Sequence, residues 1–175
     1  GVIKIEAFCF YYVNSKFKRN KKETFMPLQR TIMLLFRMAR FCPEIFNKSK
    51  ERIPSPDTEI FLNNVINLMD LKLLKEQKDI VEYNIKFLTF LCRDGNLFIK
   101  ENKRVSRLIE KVSKIFSNDC GEKAEKINEE NYQRVVNMTS LLIGICSNFK
   151  ENIEEMKSLV PLIINICKEK GNFFS

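Results

Sequence analysis

The residue types that most often carry out chemistry are scarce or poorly spaced in this chain of 175 residues. It contains no histidine, so the commonest general base and the commonest neutral metal ligand are both missing. Six cysteines stand at positions 9, 42, 92, 120, 146 and 167, without any C-x-x-C pair. We therefore predict reduced thiols, most of them small fillers of the core, and no metal site.

Other arrangements that support catalysis are also missing from the sequence. None of the five glycines belongs to a phosphate-binding loop of the G-x-G-x-x-G or G-x-x-x-x-G-K type. Carboxylates such as Glu129, Glu130, Glu151 and Glu154 cluster where helices are expected to begin, and there they favour the helix dipole. The sequence therefore predicts a non-enzymatic protein without a cofactor.

The composition favours a single all-α domain that spans residues 1–175. Hydrophobic residues make up 45% of the chain, while five glycines and five prolines are too few for the many turns of a β-sandwich. The longest apolar run, Leu141–Cys146, is far shorter than the roughly 20 residues that cross a bilayer. Reduced cysteines and the lack of a secretory leader indicate an intracellular protein of the cytoplasm or nucleus, which we interpret as a fragment of a longer chain.

Apolar periodicity predicts the helices along the chain. Two prolines in 53–57 mark a loop, after which Asp57 or Thr58 is expected to cap the next helix. A further turn is expected at 118–121, and short helical turns are expected at 45–46 and 97–101. The long helices are predicted at 2–17, 27–41, 58–75, 78–93, 103–116, 130–148 and 153–170, although periodicity alone would also allow a strand in the first of these.

Three segments of the chain resemble one another. Leu34–Ala39, Phe87–Cys92 and Leu141–Cys146 each end a helix on a small apolar residue, at offsets of 53 and 54 residues. The helix that follows each segment is expected to bury one of the isoleucines 66, 109 and 163. This pattern predicts an α-solenoid with repeats at about 26–75, 78–117 and 129–170, and an irregular all-α bundle is the alternative.

The third repeat carries a family resemblance. Ser158–Cys167, with Pro161, resembles the opening of the third helix of an armadillo repeat, and Leu91–Asn96 and Ile145–Asn152 resemble its small-residue helix end and asparagine-containing turn. The resemblance covers about 26–170, in three degenerate repeats with one helix before them. The repeats are longer than armadillo repeats and lack their usual glycines, so a HEAT-type solenoid is the alternative. The resemblance implies a scaffold that binds a peptide or helix of another protein in its concave groove or at a repeat edge.

The polar side chains opposite the apolar faces of the third helices would line that groove. Asparagine can bond the backbone of an extended peptide, and basic residues favour an acidic partner. A plain solvated stripe is the alternative interpretation. The predicted partner-binding residues are Asn64, Asn67, Lys72, Arg107, Lys111, Lys114, Asn165 and Lys168.

The positive charge of the chain supports a second function. With 30 basic and 22 acidic residues the formal charge is +8, which suits a nucleic-acid-binding α-solenoid. A basic run at Lys16, Lys18, Arg19, Lys21 and Lys22 suggests a nuclear-localisation signal, a phosphate-contacting patch or a solvated connector. Apolar residues near both ends also suggest self-association of solenoid ends, namely Val2, Ile5, Phe8, Phe173 and Phe174.

Overall fold

The computed structural model of the chain describes residues 13, 25–43, 46, 56–93, 101–122 and 124–170. Within these residues every regular element is a helix, which confirms the all-α prediction. Val13 and Phe46 are helical and lie buried in the core. The rest of the predicted first helix, the basic run from Lys16 to Lys22, the short helix before Glu101 and the apolar residues at both ends lie outside the described residues.

The described part of the chain contains seven α-helices and one long 3₁₀ helix, which lies between the last two α-helices. The α-helices are α1 Phe25–Phe41, α2 Pro56–Asn67, α3 Leu71–Glu76, α4 Lys78–Arg93, α5 Asn102–Cys120, α6 Tyr132–Asn148 and α7 Val160–Lys170, and the 3₁₀ helix is Lys150–Leu159. The predicted bounds are confirmed for α4 and are correct within two residues for α1 and α6.

The single helix predicted at 58–75 is wrong, because the chain breaks after Asn67 and starts again at Leu71. Asp70 caps the new helix, and its side chain accepts a hydrogen bond from the backbone N–H of Leu73 at 2.9 Å. Leu68 between the two helices is buried, so packing holds the turn as well. Pro56 begins α2, and this places Asp57 and Thr58 inside the first turn rather than at its cap.

The predicted turn at 118–121 is also wrong, because α5 continues to Cys120. Asp119 is only 4% exposed and pairs with Arg134, while Cys120 is fully buried, so tertiary contacts hold this polar segment in the helix. The helix ends at Gly121, whose φ of +71° is a conformation that suits glycine. Its backbone N–H donates to the carbonyl of Ser117 at 2.9 Å.

The helix predicted at 153–170 begins in a different form. The 3₁₀ helix Lys150–Leu159 leads directly into α7, where Pro161 lies in the first turn that tolerates it. Ile109 of α5 is buried as predicted, but Ile163 of α7 is only partly buried. The reason is that α5 packs between two neighbours, whereas α7 packs chiefly on the 3₁₀ helix that precedes it.

Three helices pack side by side, with α4 between α1 and α6, and we call them the first row. Their contacts stay in register. Near the helix starts, Gln29 donates to Asp79 at 3.1 Å, and Arg134 donates to Glu82 at 2.9 Å. Near the helix ends, the Asn148 amide donates to the Cys92 carbonyl at 2.8 Å. The pair α4 and α6 therefore runs in one direction.

The second row consists of α2, α5 and the 3₁₀ helix, with α5 in the middle. A buried hydrogen bond of 2.6 Å joins the rows, from the Asn84 amide of α4 to the Val65 carbonyl of α2. α5 also packs on α6, and the 3₁₀ helix packs on α6 as well. The buried side chains of the described residues form one core cluster between the rows.

Candidate binding surface

The polar residues predicted on α2 and α5 come together on the second row. Arg107 of α5 donates a hydrogen bond from Nη2 to Oδ1 of Asn67 at the end of α2. Asn64 lies three positions before Asn67, and Lys111 and Lys114 lie four and seven positions after Arg107, so each set shares one side of its helix. Five of the eight predicted residues thus occupy two adjacent helices, and we call them the α2–α5 face.

The charge of the α2–α5 face is mainly positive. Lys114 and Glu110 form an exposed ion pair with 2.5 Å between Nζ and Oε1. The hydrogen bond from Lys114 and its charge hold the pKa of Glu110 below its ordinary value, and Lys111 and Arg107 contribute in the same direction. Glu110 is therefore ionised at neutral pH and offsets one of three cations.

The other three predicted residues lie on two other helices, α3 and α7. Lys72 is exposed on α3, beyond the chain break that follows α2. Asn165 is partly buried and Lys168 is exposed on α7. Within the described ranges, no hydrogen bond or ion pair joins these residues to the α2–α5 face. The break at 68–70 and the 3₁₀ segment therefore interrupt the ladder that a uniform repeat would predict.

The structure adds polar residues on the other side of α5. Ser106 donates to Glu155 at 2.7 Å, and the Asn152 amide donates to Ser106 at 3.2 Å. These bonds link α5 to the 3₁₀ helix in the way that Arg107 links α5 to α2. Sequence reasoning missed them because the partners lie more than 40 residues apart and Asn152 was assigned to a turn.

A buried charge network joins α4, α5 and α6. Arg134 donates from Nε and Nη2 to the two oxygens of Asp119, at 2.6 and 3.0 Å, and from Nη1 to Glu82 at 2.9 Å. The side chains of Arg134 and Asp119 are 8% and 4% exposed. Desolvation lowers the pKa of Arg134, but the hydrogen bond and charge of Asp119, and then those of Glu82, raise it overall. The pair is therefore nearly closed to solvent, and with Glu82 it links α4, α5 and α6.

Three of the cysteine side chains that the structure describes are poorly suited to nucleophilic chemistry. Cys92 and Cys120 are buried, and burial raises the pKa of both thiols. The charges of Asp119 and Glu125 add to the effect at Cys120, whose pKa is about 12. Cys146, which ends the third similar segment as Cys92 ends the second, is only partly buried, and desolvation raises its pKa too. These thiols therefore stay protonated, and hence weakly reactive, at neutral pH.

A second cluster, which the sequence did not suggest, lies between α1 and α4. The Phe36 ring lies 6.2 Å from the Tyr83 ring and 5.8 Å from the Phe90 ring. Lys86 lies over both Phe36 and Tyr83, at 5.9 and 5.3 Å, and Arg93 lies over Phe90 at 5.1 Å. Helix packing assembles this basic and aromatic surface from residues about 50 positions apart in sequence.

Comparisons with known proteins leave the family open, since no family model, curated protein or solved structure matches the chain. In the part of the chain that the structure describes, no helix has the length and apolar character needed to span a membrane. The same residues contain no group of three or more Cys, Asp and Glu side chains that could hold a metal ion.

Proposed function

We propose that this chain is a non-enzymatic scaffold, an armadillo-like or HEAT-like α-solenoid that binds a peptide or helix of a partner protein. The binding site would be the α2–α5 face. The observation that supports the proposal is the Arg107–Asn67 hydrogen bond, because it joins one polar residue of the first predicted repeat to one of the second.

The register of the first row supports the repeat architecture. Gln29 contacts Asp79, 50 residues later, and Glu82 contacts Arg134, 52 residues later. These separations are close to the offsets of 53 and 54 residues between the three similar segments. A solenoid requires such a constant offset, since each unit stacks on the next in the same orientation.

The chemistry of the α2–α5 face suits an acidic, extended segment. The amides of Asn64 and Asn67 can donate to and accept from a peptide backbone. Lys111 and Lys114 supply positive charge one and two turns after Arg107 on α5, and charge complementarity speeds encounter and selects partners. Because Asn67 already orients the Arg107 guanidinium, less side-chain freedom is lost when a carboxylate binds there.

The test uses peptides selected from a displayed random library against the whole chain. Fluorescence anisotropy would compare the best peptides on the unmodified protein and on Lys111→Ala/Lys114→Ala. We expect the double variant to weaken binding by about tenfold. The matched control is Lys75→Ala/Lys126→Ala, which removes two exposed lysines from elsewhere and should change the affinity by less than about twofold. Equal weakening in both variants would contradict the site.

A nucleic-acid-binding solenoid is the second candidate, and it is favoured by the charge of +8 and by cations on both rows. The two functions differ in their response to salt. For single strands, the logarithm of the affinity falls with the logarithm of salt concentration with a slope of about −0.7 per neutralised phosphate. A peptide held by amide and apolar contacts loses far less affinity. Titration with a single-stranded oligonucleotide at three salt concentrations distinguishes the candidates.

A further inference from the structure

One face of α1 carries large apolar side chains in solvent, with arginines between them. Met26, Leu34 and Phe41 are 62%, 40% and 69% exposed, and Arg30 and Arg37 are exposed as well. These five residues are separated by four, four, three and four positions, so they form one line along the helix. The line, which we call the α1 stripe, is about 22 Å long at 1.5 Å per residue.

The α1 stripe is additional to the face that α1 uses in folding. The opposite side of the helix buries Leu28, Ile32 and Leu35 in the core. A helix at the protein surface needs one apolar face, so a second one is not required for packing among the residues that the structure describes. Exposed apolar side chains grouped in this way, with polar residues around them, are typical of interaction sites.

The charged residues of α1 itself are of one sign, and the Asp79 carboxylate of α4 lies against the helix at Gln29. Helix α1 contains three arginines, Arg30, Arg37 and Arg40, and no acidic residue. All three are exposed, and among the residues the structure describes no carboxylate forms an ion pair with them. A partner that covers the stripe must therefore bring its own negative charge.

We propose that the α1 stripe binds an amphipathic helix of a partner protein. Its acidic side chains would face Arg30 and Arg37, and its aliphatic side chains would pack on Leu34 and Phe41. A helical partner fits because residues four and three positions apart meet a second helix along one seam, as in coiled coils. The acidic character follows from charge complementarity, because both charged residues of the stripe are arginines.

Two other occupants fit the surface less well. Single-stranded nucleic acid needs free aromatic faces for stacking, but Lys86 covers Phe36 and Tyr83, and Arg40 lies 5.2 Å from the centre of the Phe41 ring. A second copy of this chain that paired through the same helix would place arginine against arginine. Both occupants are outcomes that the following experiment can detect.

The probe is a designed three-heptad helical peptide with leucine and glutamate alternating along one seam and alanine and glutamine elsewhere. Its matched controls replace every glutamate by glutamine or by lysine. Fluorescence anisotropy measures binding to the whole chain, to Arg30→Glu/Arg37→Glu and to Leu34→Ser/Phe41→Ser. The control variant is Lys111→Glu/Lys114→Glu, which changes the α2–α5 face instead. Circular dichroism checks that each variant keeps its helix content.

We expect each α1 variant to weaken the glutamate peptide by about tenfold or more, and the control variant to change it by less than about twofold. The charge-reversed variant should gain binding of the lysine peptide, a rescue that misfolding cannot produce. The proposal is overturned if the unmodified chain binds the glutamate and glutamine peptides equally or binds neither. It is also overturned if an oligonucleotide displaces the peptide, or if sedimentation detects a dimer that Leu34→Ser/Phe41→Ser abolishes.

Because the α1 stripe and the α2–α5 face belong to different rows, the two proposals fail separately. Loss of library peptides in Lys111→Ala/Lys114→Ala tests only the α2–α5 face. Loss of the glutamate peptide in Arg30→Glu/Arg37→Glu tests only the α1 stripe.

Discussion

Arg134 and the lysines of α5 carry the same charge in very different settings. Arg134 is 8% exposed and bonds to both Asp119 and Glu82. Lys114 is exposed beside a single carboxylate, that of Glu110, and Lys111 is partly exposed one turn earlier on the α2–α5 face. The contacts of Arg134 link three helices, whereas Lys111 and Lys114 can still bind carboxylates of a partner. Exposure and partners, rather than residue type, therefore separate a structural charge from a binding charge.

Arg134→Ala gives the largest expected effect, because it leaves the buried Asp119 carboxylate without its counter-ion. Breaking a buried pair by removing one partner typically costs about 3 to 5 kcal/mol. Urea unfolding followed by circular dichroism would measure the loss. The double variant Arg134→Ala/Asp119→Ala should recover part of it, since the two residues are coupled. A loss below about 1 kcal/mol in the single variant would mean that the buried Arg134 contributes no more to stability than an exposed cation does.

Ile109→Ala tests whether apolar packing in the second row contributes as much to the free energy of unfolding as the buried charge network does. Ile109 lies on α5 between two neighbours and is 2% exposed, so truncation should leave a cavity and cost about 2 to 5 kcal/mol. Ile163, its equivalent in the predicted repeat, is only partly buried, and Ile163→Ala should cost less. Chemical denaturation of both variants provides the measurement. Equal losses would mean that α7 is packed as tightly as α5.

Gly144→Ala tests how closely α4 and α6 pack against each other in the first row. A Cβ atom at Gly144 would lie 3.2 Å from the backbone nitrogen of Arg93 and 3.4 Å from its Cα, so α4 and α6 would have to move apart. Overpacking of this kind costs about 1 to 3 kcal/mol, and the roughly 1 kcal/mol by which alanine favours a helix over glycine offsets part of it, so we expect a net loss of at most about 2 kcal/mol. The control is Ser140→Ala on the exposed side of the same helix, which should change stability by less than about 0.5 kcal/mol. Thermal unfolding would show whether the two variants differ.

Lys111→Ala/Lys114→Ala should have the smallest effect on stability. Exposed substitutions away from packing contacts usually change the free energy of unfolding by less than about 0.5 kcal/mol. The same urea titration applies here, with Arg134→Ala as the reference for a large effect. If the lysine variant unfolds as readily as Ile109→Ala, these lysines support the fold and the binding surface has been placed on the wrong side of α5.

Strong periodicity made the long helices predictable. The bounds of α4 follow from its repeating apolar positions, and Leu35, Leu88 and Leu142, which share one position of the three aligned segments, are all buried. The cap at Asp70 was missed because an unbroken apolar pattern outweighed a single carboxylate.

Contacts between distant residues could not be predicted in the same way. Asn118 and Asp119 resemble a turn locally, yet the pairing of Asp119 with Arg134, 15 residues later, extends the helix through them. The sequence predicts the residues of the α2–α5 face because each lies opposite a regular apolar face, and their role in binding stays a prediction. The Phe36–Tyr83–Phe90 cluster was missed because its aromatic residues contribute to two helices, and nothing local indicates that these helices adjoin.

The 3₁₀ helix between α6 and α7 couples the length of its segment to the orientation of the helix that follows. It has ten residues, whereas runs of this form longer than three or four are uncommon. Winding the same ten residues as an α-helix would shorten them by about 5 Å and rotate the following segment by roughly half a revolution. Translation and rotation are thus coupled in this segment, and its pitch sets the direction in which Asn165 and Lys168 point.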